Sequence, residues 1–266
     1  MAAADSPPSS TLDIPRQLKY WKMCLRSPLP DAYLSNEGNR MALAYFLINS
    51  IAMLTPPGPA NLTPLISPAE CKQLRQWILS HQHPGGGFSG TSSLVFPLSS
   101  GAYDEWDFAT DARETEHSGL ASIAATLFAL QLLALLSDDE SPGGAFRGVN
   151  RVRTLRWLKS LQREDGSFGE ALRRLPGKGW SIAGGYDMRY CYVAASIRWM
   201  LRGDAKEGEA GWVEDFDTEN LARYILQSQV FFCLHPLCLQ DQFADIFTRL
   251  MMVALRVVPP KNRMVS

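Results

Sequence analysis

Asp187, Arg189 and Tyr192 open an otherwise apolar run, DMRYCYVAASIRWML (187–201). Arg189 and Tyr192 are three apart, so a helix places them on one face. An apolar helix that keeps an arginine needs a reason for it. One reading is a cavity wall, where the arginine stem and the tyrosine ring pack on an apolar ligand and the guanidinium binds its polar groups. The other is structural, an Asp187–Arg189 bond or a solvated helix end. A second group, Cys233, His235 and Cys238 with Asp241 near by, spells C-x-H-x-x-C. Zinc takes such ligands, yet the spacing matches no common structural site. Phe243, Ile246, Phe247, Leu250 and Leu255 fall at near-helical spacing, which favours apolar filler there.

The elements that would position these residues are marked by a repeat, the first thing to seek in a chain of this kind. Aligned on a glutamine, WILSHQ (77–82), WLKSLQ (157–162) and YILQSQ (224–229) each carry an aromatic residue five positions earlier. The first two continue as Q-x-x-x-G-x-F, in QHPGGGF and QREDGSF. This predicts a helix whose end is marked by a glycine able to take positive φ, then an aromatic residue that folds back on the layer below. A more apolar helix follows each turn, GLASIAATLFALQLL and DMRYCYVAASIRWML, and strand signals are nearly absent. Outer amphipathic helices alternating with inner apolar ones predict an all-α protein, an α/α barrel or toroid.

Composition narrows the function classes. The chain has 266 residues, enough for one large or two small domains, with 46% hydrophobic and 20% charged residues. A net charge of −1 without a basic run gives no sign of nucleic acid or an anionic membrane as partner. Five cysteines without paired spacing suggest a reduced, cytoplasmic protein. Residues 1–11 read as a disordered leader without signal-peptide character. The uncharged stretch 117–137 is long enough to cross a bilayer, but its acidic flanks predict a helix buried inside a helical domain rather than a membrane span.

The block LRWLKSLQREDGSFGE followed by GGYDMRYCYVAASIRWML resembles the repeat signature of protein prenyltransferase β subunits. The stretch LKYWKMCLRSPLPDAYLSNEGNRMALAYFLINSIAML is similar to the geranylgeranyltransferase type I members, with a cysteine-containing first helix, a Leu-Pro turn, Tyr33 and an N-R-M-A-L-A-Y-F helix. The likeness spans residues 12–229. It implies an α/α toroid that pairs with a helical-repeat α subunit and transfers geranylgeranyl from geranylgeranyl diphosphate to the cysteine of CaaX proteins such as small GTPases. It also implies that Arg189 and Tyr192, in D-x-R-x-x-Y, line the cavity. Phe46, with Tyr45, would help shape the pocket for the peptide's last residue.

After Gln229 the resemblance stops. The family pattern continues with a turn, E-x-H-G-G, an Arg and Lys for the diphosphate, Asp-x-Cys as two zinc ligands and a later histidine. None of these has a counterpart in the 266 residues. The expectation is a partial toroid over 12–229 with an unrelated tail over 230–266, no catalytic residue, and zinc chemistry without its ligands. Such a chain would be inactive, or a non-catalytic fragment that binds the α subunit or lipid.

Two acidic stretches bear on other chemistries. DEWDFATDARETE (104–116) reads as a solvated insert rather than a magnesium–diphosphate cluster. DFDTE (215–219) resembles faintly the acid of triterpene cyclases, which share the turn motif and the toroid and form the alternative enzyme reading. No Ser-His-Asp, Walker or Rossmann constellation is present.

Overall fold

A computed structural model describes residues 12–55, 66–91, 121–137, 144–175, 179–202, 206–209 and 212–229. The leader, the acidic stretch 104–116 and the tail with Cys233, His235 and Cys238 lie outside them. The described helices are α1 (Ile14–Arg26), α2 (Arg40–Leu54), α3 (Pro68–Ser80), α4 (Ile123–Leu135), α5 (Arg151–Ser160), α6 (Met188–Leu201) and α7 (Thr218–Gln229). A 3-10 helix, Asp31–Asn39, joins α1 to α2.

Side-chain caps fix most of these helix starts. Ser67 and Glu70 form a reciprocal capping box at α3, with Pro68 in its first turn. The Ser67 backbone N–H, and then the Arg26 guanidinium, hold the Glu70 carboxyl down at about 2. Asn150 accepts from the Arg153 N–H at 3.1 Å before α5, and Asp217 from the Asn220 N–H at 2.8 Å before α7. Each such cap contributes about 1 kcal/mol.

Burial sorts the helices into two layers. α4 is apolar nearly all round and buries Ile123, Leu127, Ala129, Leu130, Leu132 and Leu133. It packs between α2 and α6, forming an inner layer, while α1, α3, α5 and α7 pack outside. Among the described residues no helix is long and apolar enough to cross a membrane.

The repeat turns lock this arrangement. After α3, the His83 N–H donates to the Gly87 carbonyl and the Ser89 N–H to His81. After α5, the Arg163 N–H donates to Ser167 and the Gly169 N–H to Leu161, in the same register. Glycine therefore does not mark the helix end, as the sequence suggested. The helices stop at Ser80 and Ser160, and Gly86 (φ 111) and Gly166 (φ 90) sit inside the tight turn that follows. A Cβ on Gly86 would lie 2.4 Å from the Arg153 carbonyl oxygen, and one on Gly166 would lie 2.3 Å from that of Asn220. Both contacts fall on the third residue of the next outer helix. Phe88 and Phe168 fold back and are fully buried, as expected.

The repeat glutamines complete the lock. Gln82 Oε1 accepts from the Asn150 N–H at 2.7 Å while its Nε2 donates to the Gly148 carbonyl at 3.3 Å. Gln162 Oε1 accepts from the Asp217 N–H, and its Nε2 donates to the Asp217 carbonyl, both at 2.8 Å. Each glutamine thus holds the chain entering the next outer helix.

One element departs from the all-helical expectation. β1 (Ala171–Leu175) and β2 (Gly179–Ala183) form an antiparallel hairpin, pairing Ala171 with Ala183. It extends the turn after α5, where the Glu170 N–H donates to the Ala183 carbonyl at 2.8 Å. The Glu170 carbonyl in turn accepts from the Ile123 N–H at 2.9 Å, tying the hairpin to the start of α4.

Candidate functional site on the inner helices

The start of α6 is fixed from outside. Arg163 Nη2 donates to the Gly184 carbonyl and Nη1 to that of Phe168, both at 2.8 Å, and the guanidinium lies 4.6 Å from the Tyr186 ring centre. These bonds anchor the loop that delivers Asp187, the N-cap of α6. Asp187 accepts from the Arg189 N–H at 2.8 Å and from Arg189 Nε at 2.9 Å. The guanidinium, more than the backbone N–H, holds the Asp187 carboxyl below the usual carboxylate range. The Arg189 side chain is 86% exposed. The structure therefore places Arg189 on the expected face and also makes the Asp187 bond of the structural reading.

That face continues along α6. Arg189, Tyr192, Ser196 and Trp199 follow helical spacing on its solvent side, while Cys191, Val193, Ala194, Ala195 and Ile197 are buried on the other. Tyr192 is 40% and Trp199 61% exposed, so two large rings stand open on the side of the helix away from the core. The Ser196 hydroxyl donates to the Tyr192 carbonyl at 2.9 Å. Cys191 faces the core, where burial pushes its thiol up to about 11, far from a thiolate nucleophile at neutral pH.

A second aromatic group bridges α2 and α4. Tyr45 and Phe46 on α2 lie 5.2 and 5.6 Å from the Phe128 ring on α4. Tyr45 is half-buried, and Phe46 is exposed, as is Met53 two turns on. The predicted residues thus fall into two sets, Tyr45 with Phe46 and Asp187 with Arg189 and Tyr192, and α4 packs between their helices. The sequence reading missed Phe128 and Trp199. Trp199 lies seven positions beyond Tyr192, a spacing that carries it to the same face.

Exposed rings beside a guanidinium can pack on an apolar ligand and meet its polar end. Among the described residues no group of three or more His, Cys, Asp or Glu side chains could hold a metal ion. The acids suggestive of a cyclase are engaged. Asp215 accepts from Arg198 Nε at 2.8 Å, and Asp217 caps α7.

Comparison with known proteins agrees with this architecture. Residues 12–232 match the family described as the prenyltransferase alpha-alpha toroid domain. The chain is 28% identical over 235 residues to the geranylgeranyl transferase type-1 subunit beta of Arabidopsis thaliana, covering 84% of this chain and 50% of that protein. It spans about half the length of that relative. The solved structure of Candida albicans protein geranylgeranyltransferase-I complexed with GGPP shares the fold, with a TM-score of 0.62 and 19% identity over 92% of this chain and 60% of that one. Motifs, paired layers and family match converge: the chain belongs to the prenyltransferase α/α toroid family.

Proposed function

We propose that the chain contributes the substrate-binding wall of a geranylgeranyltransferase type I β subunit, in a heterodimer with a prenyltransferase α subunit. The observation that carries this is the exposed rings of the inner helices, Tyr192 and Trp199 on α6 and Phe46 on α2, the last resting on the half-buried Phe128 of α4. In the proposed reaction the sulfur of a CaaX cysteine, its thiol proton lost to solvent, bonds to the first carbon of the geranylgeranyl chain, and diphosphate leaves with the electron pair of the broken carbon–oxygen bond. The rings would pack against isoprenoid and aliphatic side chains, and Arg189 would offer its guanidinium to polar substrate groups.

These residues hold reactants and do not ionise the thiol. With a free pKa of about 8.5, only a few per cent of a cysteine is thiolate at neutral pH. The family's Asp-x-Cys, and its Arg and Lys for the diphosphate, have no counterpart in the 266 residues. Residues 1–266 acting without further chain are therefore proposed to bind without turnover.

The test is a co-purified complex with a prenyltransferase α subunit, given labelled geranylgeranyl diphosphate, a Cys-a-a-Leu peptide and zinc. The expected result is saturable binding of lipid and peptide without multiple turnovers. Turnovers abolished by a chelator would overturn the non-catalytic part and point to Cys233, His235 and Cys238. Absence of binding would overturn the proposal as a whole.

A further inference from the structure

On α4 the half-exposed face is Ala124, Phe128, Gln131 and Leu135, so Gln131 is its one polar side chain. Its Oε1 is buried and, among the described residues, accepts no hydrogen bond. Several polar groups on the neighbouring inner helices have partners. Ser50 donates to the Phe46 carbonyl at 2.7 Å, Ser196 to that of Tyr192, Asn49 to the Met53 sulfur at 3.7 Å, and Arg189 to Asp187. Among the described residues two further buried side-chain atoms lack a hydrogen bond, and neither lies on this face. His81 Nε2 belongs to the turn after α3, and Arg202 Nε lies 3.4 Å from Asp215 Oδ2 in an ion pair.

A buried acceptor without a partner is a standing cost that calls for an explanation. Resting on the proposed substrate wall, we infer that Gln131 accepts a hydrogen bond from a backbone N–H of the bound peptide, and so reads the peptide rather than the isoprenoid. The isoprenoid is hydrocarbon with no N–H or O–H, and its ionised diphosphate offers acceptors. An extended peptide with aliphatic side chains supplies an N–H between apolar groups, which matches an amide one turn beyond Phe128. The terminal torsion of glutamine is broad, so the acceptor turns outward when a donor arrives.

The test uses the full chain in complex with the α subunit, comparing the natural protein with Gln131→Met. The probes are geranylgeranyl diphosphate, a dansylated Cys-Val-Ile-Leu peptide, and the same peptide methylated at one backbone nitrogen at a time. For the natural protein, one methylation is expected to weaken peptide binding about tenfold, as loss of a hydrogen bond does. Gln131→Met should bind the parent peptide about tenfold more weakly, ignore that methylation, and keep the lipid affinity. Without ligand it should melt above the natural protein, because the orphaned acceptor is gone. The inference is overturned if the methylation penalty survives in Gln131→Met, if lipid and peptide weaken together, or if ligand-free Gln131→Met melts lower. Failure of the natural protein to bind either probe would overturn the substrate wall itself, and this inference with it.

Discussion

The outer turns and the inner face treat their polar and aromatic groups in opposite ways. In the turns, Gln82 and Gln162 bond the backbone of the next outer helix, and Phe88 and Phe168 are fully buried. On the inner face, Phe46 and Trp199 stand open and the Gln131 acceptor has no partner among the described residues. A repeat that builds a fold satisfies its groups internally, whereas a surface that receives a ligand leaves them for it. Stability should therefore reside in the turns and ligand affinity on the inner face.

The largest expected effect breaks the turns. Phe168 is fully buried and meets Phe216 edge-on at 4.9 Å. Phe168→Ala should cost about 3–5 kcal/mol in chemical denaturation of the proposed α-subunit complex. A loss below about 1 kcal/mol would show that the turn does not anchor the second repeat.

Acid should loosen the first turn next. His83 is 8% exposed, and burial lowers its ring to about 4; burial also lowers His81, outweighing its bond to the Trp77 carbonyl. A depressed histidine means that the unfolded chain takes the proton first. Stability is then present above pH 6.5 and lost as pH falls toward 4, on the order of 3 kcal/mol for His83. Melting temperatures across that window check it. His83→Gln should flatten the slope.

The glutamine locks are smaller. Gln162→Ala removes two bonds to the Asp217 backbone, and Gln82→Ala removes those to Gly148 and Asn150. Each should cost about 1–2 kcal/mol. The smallest effect on stability belongs to Arg189→Ala. With its side chain 86% exposed, it should leave the melting temperature nearly unchanged while weakening substrate binding. A larger loss of stability with unchanged binding would make the Asp187 bond its whole role.

Some of this was legible in the sequence. The helix pairs and the glycine-phenylalanine turns were, because two stretches 80 residues apart share one pattern of offsets. The face shared by Arg189 and Tyr192 followed from their spacing. The glutamines could be aligned but not interpreted, since their partners lie 55 to 68 residues away and are backbone groups. The hairpin was hidden because A-L-R-R-L lacks strict alternation and its connection reads as loop. Gln131 gave no signal, because an unpartnered acceptor is a property of packing.

The most direct test of the division between turns and inner face measures melting temperature and geranylgeranyl diphosphate affinity on the same two variants of the α-subunit complex, Gln162→Ala and Tyr192→Ala. The account predicts that Gln162→Ala melts several degrees lower with lipid affinity nearly intact. It predicts that Tyr192→Ala melts close to the natural protein and binds lipid about tenfold more weakly. The opposite split, with Tyr192→Ala destabilised and its lipid affinity unchanged, would contradict it.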